Sequence, residues 1–204
     1  DNKFIIEASS FMLEFCEYYT SKFNVLLNIV PTHLEHHHNF NSYIRSKLSL
    51  LKNIRKDDFI IYNYDDIVLR NLVKVHNGIK IPISMKNNSL VQKKEGLYIK
   101  NSYIYYYNKK FMKLSKLKTL GEHNLYNIMA CIAVCINYYK SEKKLVKKNR
   151  IKRKICSFEG LEHRLEYVGK SGKTKFYNDS KSTNFNALKV ALDTMKDKKV
   201  LLIC

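Results

Sequence analysis

Two short stretches hold the densest chemistry in this chain: Gly160-Leu161-Glu162-His163-Arg164-Leu165-Glu166 and, shortly after, Asn178-Asp179-Ser180-Lys181-Ser182-Thr183-Asn184. An Arg presents a planar fork of donors that matches phosphate or carboxylate, and a Lys adds a mobile point charge. Asp, Ser, Thr and Asn hold ribose hydroxyls or order a turn. This set of side chains points to a polyanionic nucleotide or carboxylate substrate, and by itself names no reaction. Other chemistry-bearing residues are Glu7 and Ser9, His33 with His36, His37 and His38, Lys47, and His123 with Asn124 and Asn127. His33 and His37 have the i, i+4 spacing that grips Zn²⁺ on a helix, though without the Glu of H-E-x-x-H and without a nearby Cys. Gly169-Lys170-Ser171-Gly172-Lys173-Thr174 imitates a P-loop, but Tyr167 stands where the first Gly belongs. Strand-like Lys175-Phe176-Tyr177 follows it instead of a helix N-terminus, so it reads as a hairpin turn.

These residues need elements to carry them. Lys3–Ile6 reads as a strand, Ala8–Tyr19 as a helix, and Asn24–Val30 as a buried strand of the kind covered on both faces in a parallel sheet. Pro31 ends it. Phe40–Leu51 has amphipathic helical spacing with Asn39 or Asn41 as N-cap, and Phe59–Tyr62 is a further strand. From Ile79 to Phe111 short apolar runs alternate with Gly, Asn and Lys, as small antiparallel strands do. Asn124–Tyr139 is a long helix. Lys140–Lys154 is an exposed helix and linker, because Leu145, Ile151 and Ile155 interrupt its charges. Arg164–Val168 and Lys175–Tyr177 form a hairpin, Phe185–Met195 a helix and Val200–Ile203 a strand. The fold class is α/β: a mostly parallel central sheet flanked by helices, then the start of a second, Rossmann-like α/β domain. The boundary is placed at 157/158.

Composition bounds the partners. With 37 Lys and Arg against 18 Asp and Glu, the net charge is +19. That balance raises nucleic acid, anionic membrane or phosphorylated ligands as partners. Heavy use of Lys, Asn, Ile and Tyr throughout offers a plainer source, codon choice pushed toward A and T. Tyr103–Tyr107 keeps a base-stacking, nucleic-acid-binding alternative open. Five scattered Cys without Cys-x-x-Cys fit a reducing cytoplasm, with Cys131 and Cys135 read as core packing. No apolar run approaches the ~18 residues that span a bilayer.

Four segments together resemble the Mur ligase family, in its D-glutamate-adding branch. Glu7-Ala8-Ser9-Ser10-Phe11-Met12-Leu13 is similar to E-[LA]-S-S-F-Q-L. Asn28-Ile29-Val30-Pro31-Thr32-His33-Leu34-Glu35, followed by Tyr43 and Ser46-Lys47, is similar to N-[IV]-x-P-D-H-L-D followed by Y and [SA]-K. Gly121-Glu122-His123-Asn124 with Asn127 and Ala130 is similar to G-x-H-N-x-x-N-x-x-A. The two opening stretches resemble G-L-P-H-R-x-E and N-D-S-K-[AS]-T-N. Order and spacing agree from end to end, and the N-D-S-K-x-T-N run selects the branch.

The resemblance implies ATP-dependent amide formation between UDP-N-acetylmuramoyl-L-alanine and D-glutamate through an acyl phosphate, in cytoplasmic peptidoglycan precursor synthesis. It implies ATP and Mg²⁺, a monomer, no membrane insertion and no nucleic acid. Glu7, His33 and Lys47 become metal ligands, Lys47 as a carbamate, since an ammonium would repel the cation and a carbamate offers oxygen. Read alone, Glu7 is a helix-start carboxylate favoured by the dipole. Asn124, Asn127, Arg164 and Asp179 become ATP contacts, with Asp179 at the ribose; Ser9, Lys181 and Thr183 contact substrate. Lys47, His33 and Arg164 are the catalytic set. Asn124 also suits helix capping and Ser9 a helix cap. Departures are Thr32 for Asp, Met12 for Gln and Glu162 for Pro. The family's UDP-binding domain and P-loop would precede Glu7, and its C-terminal domain would run past Cys204. The expectation is therefore a ligase core that does not form the amide alone, with a non-catalytic remnant as the further alternative.

Overall fold

The computed structural model describes residues 2–93, 96–119, 121–183 and 185–203. Asn184 and Cys204, both singled out above, lie outside the described residues. The chain divides into two compact units, one holding residues 1–100 and 105–109, the other residues 101–104 and 110–204.

In the first unit, α1 (Ser10–Glu14) precedes β1 (Phe23–Leu26), then α2 (Leu34–His37), α3 (Phe40–Leu48) and β2 (Phe59–Asn63). α4 (Ile67–Leu72), β3 (Ile79–Ser84), α5 (Ser89–Lys93) and β4 (Leu97–Lys100) complete it. Strands β1 to β4 are neighbours in chain order and parallel, with Phe23 opposite Phe59, Phe59 opposite Ile79, and Ile83 opposite Leu97. Parallel neighbours need a crossover between them, which is what the intervening helices supply. β2 is buried at every position, the pattern of a strand covered on both faces. Around it Leu26, Ile29, Tyr43, Leu51, Leu69, Val73, Val91 and Tyr98 form one core. Asn39 caps α3 by accepting the Ser42 amide at 2.9 Å. Asp66 caps α4 through Leu69 N at 3.0 Å, and its other oxygen accepts Ile29 N, also at 3.0 Å. Asp65 accepts the Ser84 hydroxyl at 2.8 Å and Met85 N at 2.7 Å.

In chain order β5 (Tyr103–Tyr106) and β6 (Lys109–Lys113) follow as adjacent strands. The second unit continues with α6 (Glu122–Ser141), α7 (Lys148–Ser157), the antiparallel pair β7 (Glu166–Ser171) and β8 (Thr174–Asn178), and α8 (Phe185–Thr194). α6 buries Ile128, Met129, Ile132, Ala133 and Ile136, while α7 buries Ile151 and leaves Lys148, Arg150, Arg153 and Lys154 exposed. Gly172, at φ 55°, makes the tight turn between β7 and β8, so Gly169–Thr174 is a hairpin. Among the described residues no helix is long and apolar enough to cross a membrane.

Several expectations are corrected. Lys3–Ile6 and Val200–Ile203 form no strand, and Phe4, Ile5, Leu201 and Ile203 are exposed. Apolar sequence makes a strand only where a ladder partner takes its amides, and neither segment has one among the described residues. The helix expected over Ala8–Tyr19 shrinks to α1, and β1 stops at Leu26 with Val25 exposed, as befits the end of the strand order. β3 and β4 are parallel, not antiparallel, because α5 turns the chain between them. Cys131 is exposed rather than packed in the core.

Two measurements check this account. Asp66→Ala removes a helix cap and strands the amide of buried Ile29; a loss of about 2 kcal/mol is expected in urea unfolding, and Asp66→Asn should lose less. His76 has its pKa lowered from 6.5, first by burial and then by the charge of Lys80. The unfolded chain therefore binds more protons near this pH, so stability present above pH 6.5 is lost as pH falls through the lower folded value. The urea midpoint should drop across that window, and His76→Gln should flatten the drop.

Candidate functional site

In the first unit His33 follows the carboxyl end of β1, whereas Glu7 and Ser9 follow no strand among the described residues and Lys47 lies within α3. Ligands of open α/β sheets gather at that edge, because successive loops converge there. Ile29, bonded to Asp66, fixes where the chain leaves the sheet, and four residues later comes His33. His33 has a left-handed backbone at φ 55° and precedes α2; its imidazole lies 3.7 Å from the Glu35 carboxylate and edge-on to Phe11 at 5.1 Å. Thr32, where a carboxylate was expected, donates its hydroxyl to the Val30 carbonyl at 3.5 Å. Ser9 accepts Met12 N at 3.2 Å and so caps α1. Glu7 is exposed just before that cap. Lys47 projects from α3 with its ammonium 5.9 Å from the centre of the Tyr43 ring. The ring contact brings the α1 segment and the His33 segment together.

In the second unit, the two stretches that opened the sequence reading are bonded to each other. Asp179 accepts Leu165 N at 2.9 Å and the Ser182 hydroxyl at 2.6 Å. Asn178 meets His163 Nδ1 at 2.8 Å, and Lys181 N donates to the His163 carbonyl at 3.1 Å. These bonds hold His163 and Leu165 at positive φ, 65° and 46°. Arg164 lies between them and is exposed. Arg164 and Asn124 line one cavity of about 170 Å³ with Lys118, Thr119, Glu159, Tyr167 and Tyr177. Asn127 donates to Asn124 Oδ1 at 3.3 Å, which sets the amide orientation beside that cavity. Lys181 and Thr183 are exposed on the same turn as Asp179.

His123 connects these segments electrostatically. Its pKa is lowered from 6.5 by desolvation first, with Arg164 pushing the same way and Asp179 opposing, so the imidazole is neutral at pH 7. Gly121 gives it room: at φ 89°, a Cβ there would sit 2.5 Å from the His123 ring and 3.0 Å from Thr194 Oγ1. That is the physical content of the Gly in the Gly121–Asn124 segment.

Sequence reasoning missed Lys118, Thr119, Tyr167 and Tyr177 as cavity wall. The Tyr pair faces across the hairpin at 5.6 Å, and its alternation along β7 and β8 was a usable signal. Lys118 pairs with Glu159, which lowers the Glu159 pKa and partly neutralises the cation. Nothing in local sequence marks a pairing 41 residues apart. The Tyr103–Tyr107 run presents few free faces: Lys110 covers Tyr103 at 4.7 Å, Tyr105 stacks on Tyr98 at 5.1 Å, and Tyr106 and Tyr107 pack on each other at 4.4 Å.

Comparison with known proteins bears on the family and the fold. The profile of the Mur ligase middle domain matches residues 2–135. The UDP-N-acetylmuramoylalanine–D-glutamate ligase of Streptococcus thermophilus is 34% identical over 199 residues, which is 98% of this chain and 42% of the relative. The ligase of the same name from Caldicellulosiruptor bescii is 31% identical over 206 residues, 99% of this chain and 43% of the relative. The chain thus spans less than half the length of these curated relatives. Among solved structures, MurF ligase from Thermotoga maritima in complex with ADP superposes with a TM-score of 0.61 at 14% identity, covering 86% of this chain and 39% of that one. The apo form of L. casei FPGS gives 0.60 at 11% identity, covering 88% and 43%. At such identities the structures establish the shared fold, while the profile covers most of the sequence: the chain belongs to the Mur ligase family.

Proposed function

We propose that this chain is the core of an ATP-dependent ligase that joins D-glutamate to UDP-N-acetylmuramoyl-L-alanine in cytoplasmic peptidoglycan precursor synthesis, acting as a monomer. Residues 1–157 form its middle domain and 158–204 open its C-terminal domain. The observation that carries the reading is the bonded pair of turns at Leu161–Glu166 and Asn178–Ser182, which sets Arg164 beside Asn124 on one cavity. Relatives named for this activity run the length of the chain and support the choice of substrates.

The residues present fit the groups the reaction needs. A cavity with a guanidinium, an ammonium and a carboxamide suits a nucleotide phosphate, and the MurF structure of the same fold holds ADP. Arg164 draws charge off the phosphates, Asn124 and Asn127 orient the nucleotide, and Asp179 faces the ribose. Lys181, Thr183 and Ser9 hold the acyl substrate or the incoming amine. Neutral His123 leaves the positive charge at this site to Arg164 and Lys118. For Mg²⁺ the donors are Glu7, His33 and Lys47, and the set suits a hard cation only with Lys47 carbamylated: its amine adds CO₂ and releases a proton, replacing a cation with an anionic oxygen ligand. When bound, Mg²⁺ supplies neutralisation of the phosphate charge. Thr32 contributes no carboxylate beside His33, so His33 relies on Glu35 for its nearest acidic partner.

In the complete polypeptide that carries this core, phosphate release from ATP should require both UDP-N-acetylmuramoyl-L-alanine and D-glutamate and should fall roughly 10- to 100-fold in Arg164→Ala, whereas residues 1–204 by themselves should show no such release. Release indifferent to D-glutamate overturns the reading. For Lys47, carbon-13 bicarbonate should produce a carbamate resonance that Lys47→Gln abolishes; no Lys47-dependent resonance means the metal is held otherwise.

A further inference from the structure

The histidines after His33 remain unused by the ligase reading, and the structure groups two of them with a carboxylate. Glu14 on α1 and His36 and His37 on α2 bring their ligand atoms within 4.8 Å of one another. The His36 Nε2 to Glu14 Oε2 separation is 2.8 Å. His37 is buried, 3% exposed, with its ring against Tyr43 at 5.4 Å and Phe11 at 5.5 Å. Its two nitrogens face different neighbours: Nδ1 lies 3.5 Å from Ser46 Oγ, and Nε2 lies 2.9 Å from Ser10 Oγ.

The geometry points to a transition-metal site, of the Zn²⁺ class, formed by Glu14, His36 and His37. Two imidazoles and one carboxylate are a recurrent three-ligand set for zinc, with a fourth position left to water or another oxygen. Metal-bound imidazoles hold their second nitrogen in a fixed hydrogen bond, the part that Ser46 takes at His37 Nδ1. The Ser10 hydroxyl beside His37 Nε2 supplies a neighbouring oxygen. Imidazole donors select Zn²⁺, Co²⁺ or Ni²⁺ over Mg²⁺, which prefers an all-oxygen shell. The donors differ from Glu7, His33 and Lys47, and from the His33/His37 pair that spacing alone suggested. Without metal, the Glu14–His36 contact is a partly exposed pair of small value, 39% and 41% exposed at the two side chains. With metal, α1 is pinned to α2, and the Ser9 cap and His33 are held from both sides.

The test is titration of the chelator-treated 204-residue chain with Co²⁺ and Zn²⁺. One equivalent of Co²⁺ should give the visible bands of a low-symmetry four- or five-coordinate complex, displaced by Zn²⁺ and not by excess Mg²⁺. Glu14→Gln and His36→Gln, at partly exposed positions, should each weaken binding by more than about 10-fold with unchanged far-ultraviolet circular dichroism. His33→Gln should leave it intact. Absent cobalt bands, displacement by Mg²⁺, or binding lost in His33→Gln but kept in His36→Gln would each overturn the site. The readouts involve no nucleotide or amide formation, so they stand or fall separately from the ligase reading.

Discussion

Asp65 and Asp66 take the carboxyl edge of the first unit's sheet into one set of hydrogen bonds, and the segment that leads to His33 leaves the sheet from it. Asp66 holds the Ile29 amide with one oxygen and the start of α4 with the other. Its neighbour Asp65 holds Ser84 and Met85 at the end of β3, while Asn63 donates to the Leu27 carbonyl at 3.1 Å. Three parallel strands thereby end at fixed offsets. A loop that begins from a fixed amide can deliver a left-handed residue such as His33 to one place; a loop from a frayed strand end cannot. The buried apolar strand β2 supplies the rigidity behind this edge, and the carboxylates turn that rigidity into position.

The second unit solves the same problem with a different device. Its functional stretches lie on turns, where backbone conformation is inherently loose. Asp179 compensates by accepting from both turns, and the His163–Asn178 contact adds a second tie. Two non-Gly residues at positive φ, His163 and Leu165, cost conformational energy of order 1–3 kcal/mol each. That strain persists because four hydrogen bonds over-determine the turn. Arg164 is the residue so presented, and Asp179 is the residue that organises the turn.

Legibility in the sequence followed the range of the interaction. Helix caps are local, so Asn39 as one of two candidate caps and the start of α3 were readable from spacing, though the α-helix stops at Leu48 rather than Leu51; α6 and the β7–β8 hairpin were readable as well. The P-loop imitation was dismissed because a single missing Gly and a following strand are also local facts. Pairing partners are not local: Phe4–Ile6 and Val200–Ile203 read as strands, yet a strand is a property of two segments. Within Ile79–Phe111 short strands were legible, but the β3–β4 pairing failed similarly, since parallel and antiparallel strands look alike until the connection between them is known. At the site, chemistry-bearing types were visible, but the Lys118–Glu159 pair and the convergence of Glu14 with His36 and His37 each join segments far apart in sequence.

The excess of positive charge is best understood through what the cations touch. Lys22 is spent on Asp57 and Asp58, Lys118 on Glu159 and Lys144 on Glu142. Others lie over aromatic rings of their own unit: Lys110 on Tyr103, Lys152 on Phe111 and Arg70 on Tyr64. A single-strand binder needs open aromatic faces between its cations, because stacking provides the base contact and phosphate attraction the rest. Here the lysines occupy those faces themselves. Some of the cations behind the +19 are thus engaged within their own unit, while Lys148, Arg150, Arg153 and Lys154 stay exposed on α7, and Arg164 and Lys118 meet carboxamide and hydroxyl groups at the small cavity. A cavity of about 170 Å³ is small beside the extended groove with which a protein tracks a single strand.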